Sequence, residues 1–239
     1  DTGLGNSLLS LLMAANTCAR LKIPRQQYRL IIDGDDTLLV VDGRHEATCS
    51  EHLVPEYLRY GMPLRIDSVA RAIQDVEWCQ GHPLRINDRW VMVRSPVRAM
   101  SRALFSPKYY NLPTKRRGLV RATGLGECML NQGVPVLQNW ARALVRNAGD
   151  VTAYCTPSND NAWHRVQGEM ARRGLTELQT VDFMEPTAEA RADFAQAYGI
   201  DAFEQIRLEQ ALDAWAFGID GGHVGQAALD KTTGEWDVV

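Results

Sequence analysis

The chain has 239 residues, is 45% hydrophobic and carries a net charge of −3 at pH 7. That length and apolar share suffice for one sizeable core or two modest ones, and the slight acidity excludes a uniformly basic nucleic-acid surface. No run of about eighteen apolar residues occurs, so no transmembrane helix is expected, and no basic segment followed by an apolar core and a small-residue cleavage site opens the chain, so no signal peptide is expected.

Five cysteines (18, 49, 79, 128 and 155) are scattered without a Cys-x-x-Cys pair. That pattern argues against structural zinc and for reduced thiols.

The first element follows Asp1-Thr2-Gly3-Leu4-Gly5-Asn6. From Ser7 to Ala15 the apolar residues Leu8, Leu11, Leu12 and Ala15 recur at helical spacing. A helix with one apolar face is expected, and Thr2 or Asn6 stands where a helix cap would stand.

Two apolar runs then flank a turn, Leu30-Ile31-Ile32-Asp33-Gly34-Asp35-Asp36-Thr37-Leu38-Leu39-Val40-Val41. Residues 29–33 and 37–41 are expected to pair as an antiparallel hairpin with Asp35 at its tip. The apolar runs would bury the strands and hold the tip rigid. Adjacent carboxylates on a rigid tip suit Mg²⁺, which prefers one or two carboxylates plus substrate phosphates. The plain alternative is a solvated Asp-rich surface turn.

Glu51–Gly61 reads as a short amphipathic helix closed by glycine, followed by Met62-Pro63-Leu64-Arg65-Ile66-Asp67. Val76-Glu77-Trp78-Cys79-Gln80-Gly81 and Arg89-Trp90-Val91-Met92-Val93-Arg94 complete a set of short strand-like pieces. From Pro96 the pattern turns helical, over 96–104, 114–130, 134–147, 162–173, 188–198 and 203–217, with Pro and Gly between. The fold class is therefore α+β, with a domain boundary where the pattern changes, 1–95 against 96–239. Trp140, Trp163 and Trp215 lie on helical stretches and are expected in cores. The tail 231–239 is polar. Arg94, Arg98, Arg102 and Lys108, and then Lys115-Arg116-Arg117 with Arg121, form two basic stretches. Such stretches suit either solvated faces or phosphate contacts.

Three of these segments, in order, resemble the RNA-directed RNA polymerases of positive-strand RNA viruses, most closely the tombusvirus and carmovirus type. Thr2 and Asn6 match the second half of the family pattern Ser-Gly-x-x-x-Thr-x-x-x-Asn, the Gly34-Asp35-Asp36 hairpin follows at the family's spacing, and Glu77-Trp78-Cys79-Gln80 is similar to the family's Glu-Phe-Cys-Gln hairpin. The resemblance covers residues 1–96, and Gly124–Met129 and Gly133–Val136 look like thumb segments of the same viruses. It implies a partial palm, an antiparallel sheet with packed helices, over 1–95, and a mainly helical thumb over 96–239.

The resemblance also implies roles. Asp35 would be the principal metal ligand and Asp36 its support, with Mg²⁺ or Mn²⁺ as cofactor. Thr2 and Asn6 would read the ribose 2′-OH. Glu77, Trp78, Cys79 and Gln80 would support the primer, and Lys115, Arg116 and Arg117 would contact RNA. Arg65 stands where the family has a lysine proposed as proton donor to pyrophosphate. A guanidinium stays protonated, so Arg65 would steady triphosphate charge instead. Implied partners are template and nascent RNA, nucleoside triphosphates and other viral replication proteins. The implied location is the host cytoplasm, in membrane-associated replication complexes reached through partners or other regions.

The chain opens inside a motif without an initiator Met. It is expected to be a fragment lacking the upstream metal-binding Asp and the fingers, and hence inactive alone. A different class also fits: Asp33-Gly34-Asp35-Asp36-Thr37-Leu38 matches the Asp-x-Asp-x-Thr-Leu signature of haloacid-dehalogenase-like phosphatases, with Asp33 as nucleophile, Asp35 as acid/base and Mg²⁺ as cofactor. That fold carries its signature on the first strand of a parallel sheet.

Overall fold

The computed structural model describes residues 2–104, 113–153 and 161–218. Lys108, Cys155 and the polar tail lie outside the described residues, as do the side chains of Thr2 and Trp163. Two compact units form. The first takes residues 1–72 and 76–79, the second 73–75 and 80–239.

In the first unit, helix α1 (Thr2–Arg20) leads to strands β1 (Tyr28–Asp33) and β2 (Asp36–Val41), then helix α2 (Glu46–Leu58). The strands pair antiparallel, with Tyr28 opposite Val41, Ile32 opposite Thr37 and Asp33 opposite Asp36. The hairpin is therefore the one expected. Alternation splits its apolar residues between two faces. Tyr28, Leu30, Leu39 and Val41 pack with Cys18, Ile23, Cys49 and Leu53 of the unit's core. Ile31 and Val40, on the other face, are about half exposed, so the apolar runs bury one face of the strands and not both.

Helix α1 departs further from expectation. It starts at Thr2, so Asn6 lies inside the helix and not at its cap. Its buried line is Ser10, Ala14, Thr17 and Cys18, while Leu8, Leu11 and Leu12 face solvent within this unit. Small residues on the buried line let the helix come close enough to hydrogen-bond the hairpin backbone, which leucines would prevent.

In the second unit, strands β3 (Gly81–Ile86) and β4 (Arg89–Arg94) form a separate antiparallel hairpin. Its two-residue turn is Asn87-Asp88, both at positive φ, the backbone that two-residue hairpins favour. Helices α3 (Pro96–Arg102), α4 (Pro113–Leu130), α5 (Leu137–Ala148), α6 (Asn161–Arg172), α7 (Ala188–Tyr198) and α8 (Ala202–Ala214) follow. The described strands thus make two two-stranded sheets, not one palm-like layer.

The division between units falls at Cys79/Gln80, before the second hairpin, and not at the 95/96 change of pattern. The reason is alternation again. Leu84, Ile86, Val91 and Val93 share one face of β3–β4 and enter the helical core with Met100, Val120, Leu137, Trp140, Leu144 and Phe194. Residues 73–75 join this unit because Gln74 donates to the buried Asp193 (3.1 Å), which also accepts the Arg85 N–H (2.8 Å).

Of the expected core tryptophans, Trp140 is fully buried and Trp215 packs against the core edge beside Phe217. Two glycines of α4 are dictated by helix contact. A Cβ on Gly124 would meet Val145 and Leu144 of α5 at 2.9–3.0 Å, and one on Gly126 would meet Val166 of α6 at 2.7 Å.

Candidate active site

The site is built from the β1–β2 turn upward. Asp33 and Asp36 are the last paired residues, leaving Gly34-Asp35 as a two-residue loop. Gly34 has φ +65°, the conformation glycine supplies at least cost in the first loop position. Helix α1 grips this glycine from both sides. Gly34 N–H donates to Ser7 Oγ at 2.9 Å, and Ser10 Oγ donates to the Gly34 carbonyl at 3.1 Å. The two serines lie one turn apart on the helix and so share a face. Both backbone groups of the tightest residue are thereby satisfied, and Asp35 is held beside the helix that carries Asn6.

Three carboxylates, Asp33, Asp35 and Asp36, sit within this turn, all exposed. Asp33 and Asp36 are direct cross-strand partners, where like charges are destabilising. The Cys79 thiol approaches both, with Sγ 3.9 Å from Asp33 Oδ2 and 3.8 Å from Asp36 Oδ2. Burial raises the Cys79 thiol above its ordinary pKa, and the Asp36 and Asp33 charges push it further the same way. Cys79 and Gln80 both have positive φ, 48° and 65°. Two such non-glycine residues in succession cost energy and mark a site worth explaining.

The expected residues divide as follows. Asp35 and Asp36 stand together at the tip, with Cys79 beside Asp36. Asn6 is half-buried one residue before Ser7. Glu77 is exposed and Trp78 half-buried in a single-residue bridge. Arg65 is exposed on an irregular stretch and pairs with Asp67. Gln80, Lys115, Arg116 and Arg117 belong to the second unit. Lys115, Arg116 and Arg117 open α4, where the Nε of Arg116 is buried without a hydrogen-bond partner. The functional side chains not singled out from the sequence are Ser7 and Ser10. Their spacing of three among leucines was the available signal.

The donor chemistry fits a hard divalent cation in part. Asp35 and Asp36 offer carboxylate oxygens on a short rigid turn, and Mg²⁺ commonly takes only one or two protein carboxylates, completing its shell with phosphate and water. Among the described residues no group of three or more His, Cys, Asp or Glu is placed to hold a metal. The phosphatase reading does not survive: its signature belongs on a central strand of a parallel sheet, whereas β1 pairs antiparallel in a two-stranded hairpin.

An α+β chain with an Asp-Asp hairpin clasped by a helix carrying Thr-x-x-x-Asn matches what comparison with known proteins finds. The chain belongs to the viral RNA-dependent RNA polymerase family, whose profile matches residues 1–220. It is 29% identical over 221 residues to the RNA-directed RNA polymerase of Cucumber necrosis virus, covering 92% of this chain and 25% of that protein. The polymerase of Maize chlorotic mottle virus is 29% identical over 218 residues, 90% of this chain and 21% of that one. That of Tomato bushy stunt virus (strain Cherry) is 27% identical over 221 residues, 92% and 25% respectively. The chain thus spans about a quarter of the length of these relatives.

Proposed function

We propose that this chain supplies palm and thumb elements of a viral RNA-directed RNA polymerase. In this reading the β1–β2 hairpin joins a nucleoside triphosphate to an RNA 3′-OH with release of pyrophosphate. The observation that carries the reading is the Gly34-Asp35 turn clasped by Ser7 and Ser10, in a chain that the polymerase family matches from residue 1 to 220. The clasp fixes the tip before substrate arrives, which is what positioning demands.

Asp35 and Asp36 would hold Mg²⁺ or Mn²⁺, which when bound offsets negative charge on the oxygens exchanged at phosphorus. A cation also relieves the repulsion among Asp33, Asp35 and Asp36. Asn6, with Thr2 a turn earlier, reads the ribose of the incoming nucleotide. Arg65 neutralises triphosphate charge after releasing Asp67, an exposed partner that costs little to give up. Glu77, Trp78, Cys79 and Gln80 support the primer end, and Lys115, Arg116 and Arg117 contact RNA phosphates.

With a quarter of the relatives' length and no third metal ligand among the described residues, the chain taken alone does not extend a primer. No described helix is long and apolar enough to cross a membrane; residence in membrane-associated replication complexes of the host cytoplasm would come through partner proteins or through regions of the polymerase outside this sequence.

The test is primer extension by a longer polymerase containing this sequence. Asp35→Asn abolishes incorporation while the fold, read by circular dichroism, is retained. Asp36→Asn is milder and shifts the preferred metal. Near-normal synthesis by Asp35→Asn ends the assignment.

A further inference from the structure

Serine is a middling helix former, and inside a helix its hydroxyl commonly bonds a carbonyl of the preceding turn. In α1 the hydroxyls of Ser7 and Ser10 are spent outside the helix. Both go to one residue of the β1–β2 turn: the Gly34 N–H donates to Ser7 Oγ at 2.9 Å, and the Gly34 carbonyl accepts from Ser10 Oγ at 3.1 Å. Gly34 sits at φ +65° and immediately precedes Asp35. Alanine at either position would favour the helix more, so helix formation does not account for the two serines. Packing does not account for Ser7 either, since it is only half-buried.

Asn6 occupies the same patch of the helix. It is next to Ser7 in sequence and four residues before Ser10, and residues four apart are neighbours on a helix surface. One patch of α1 thus carries the side chain that reads the ribose and both hydroxyls that hold the metal-binding turn. The hydroxyls are neutral, so they fix the turn without setting a competing cation beside Asp35 and Asp36.

We infer that Ser7 and Ser10 are positioning residues that make the placement of Asp35 depend on what Asn6 binds, so that the sugar of the incoming nucleotide acts on turnover as well as on binding. This rests on the polymerase reading for the roles of Asn6 and Asp35, and extends it to two side chains outside the Thr-x-x-x-Asn and Gly-Asp-Asp patterns. A ribose 2′-OH on Asn6 fixes this stretch of α1. The two serine bonds carry that position to Gly34, and the next residue is Asp35. A deoxyribose leaves Asn6 without its partner, and the turn loses that support. A small shift suffices, since a misplacement of about 1 Å at a reacting centre can cost on the order of 10²-fold in rate.

The experiment has two readouts on Ser7→Ala and on Ser7→Thr, which keeps the hydroxyl. The first is amide hydrogen exchange at Gly34 in the 239-residue chain, followed by NMR. Ser7→Ala should exchange up to about tenfold faster there, the effect of one lost hydrogen bond, and Ser7→Thr should match the parent. The second is single-nucleotide incorporation by a longer polymerase containing this sequence, with uridine triphosphate and 2′-deoxyuridine triphosphate compared. Ser7→Ala should lower kcat for the ribonucleotide about tenfold or more, with KM within about twofold of the parent. It should slow the deoxynucleotide much less, so the preference for ribose contracts, and Ser7→Thr should restore both. If the serines served only the fold, both nucleotides would be slowed alike; that result overturns the link, as does unchanged Gly34 exchange in Ser7→Ala. Parent-like turnover and selectivity by Ser7→Ala, in an enzyme that Asp35→Asn silences, overturns it too and leaves the polymerase reading intact. Near-normal synthesis by Asp35→Asn ends both.

Discussion

The thiol of Cys79 reports on the hairpin tip. Alkylation proceeds through the thiolate. Burial, then Asp36, then Asp33 raise the Cys79 pKa, so the thiolate fraction at neutral pH lies below that of an ordinary cysteine. Cys18, Cys49 and Cys128 are buried and do not compete in the folded protein. In a Cys155→Ser background, iodoacetamide should label Cys79 more slowly than a free peptide thiol at pH 7, and Asp36→Asn should speed labelling several-fold. An unchanged rate in Asp36→Asn would mean that the carboxylate does not face the sulfur. The position of Asp35 was legible in the sequence because two apolar runs and the glycine between them mark a tight hairpin turn. The approach of Cys79 to Asp33 and Asp36 was not. It joins residues more than forty positions apart, and no local periodicity encodes a contact at that range. Ser7 and Ser10 escaped notice for a related reason: among so many leucines, the apolar stripe looked like the buried face.

At the scale of elements, the punctuation by Pro and Gly placed most helices well, and α7 begins and ends where its pattern does. Two helices depart from it: α2 runs Glu46–Leu58, starting five residues before the expected Glu51, and α5 starts late. Helical spacing begins at Val134, yet α5 starts at Leu137. Between them Val136 adopts φ 63° and ψ −53°, and Leu137 N–H reaches back to the Pro135 carbonyl at 2.6 Å. This is a tight γ-turn centred on a β-branched residue, a conformation costing on the order of 1–3 kcal/mol. A distant carboxylate holds it. Glu209 of α8 accepts the Val136 N–H at 3.0 Å and is clamped by Arg191 of α7 through two contacts at 2.9 Å. Both members of the ion pair are largely buried. Glu209→Gln keeps the shape and an acceptor but leaves Arg191 with only the exposed Glu185, 3.4 Å away, as countercharge. Breaking such a pair costs about 3–5 kcal/mol, so a marked drop in denaturation midpoint is expected for the second unit. Arg191→Gln should be similarly harmful, and a shift below about 1 kcal/mol for both variants would show that the pair does not clamp the turn. Gly124→Ala probes the neighbouring α4–α5 contact, since its new methyl must displace Val145 and Leu144.

The molecule as a whole distributes its apolar residues unevenly. The second unit gathers β3–β4 and helices α3, α4, α5, α7 and α8 around one continuous core. The first has a small core around Cys18, Ile23, Tyr28 and Cys49, and it shows Leu4, Leu8, Leu9, Leu11 and Leu12 of α1 to solvent at 45–72% exposure. Ile31 and Val40 add apolar surface on the outer face of the hairpin, whose two strands both present edges unpaired by any described strand. Scattered exposed leucines need no explanation, but a row at helical spacing makes a contiguous patch, and an open two-stranded sheet offers backbone groups for further pairing. Both features drive association. Isolated in solution, the 239-residue chain should self-associate with rising concentration, as read by sedimentation velocity. Leu8→Gln/Leu12→Gln should shift it toward monomer with little loss of stability, because neither side chain contributes to the core. Arg98→Glu/Arg102→Glu should leave association unchanged, since charge on α3 is remote from the apolar row in sequence and chemistry. Monomeric behaviour of the parent chain at tens of micromolar would mean that the leucine row of α1 is covered within the chain, and that the helix packs by its large residues after all.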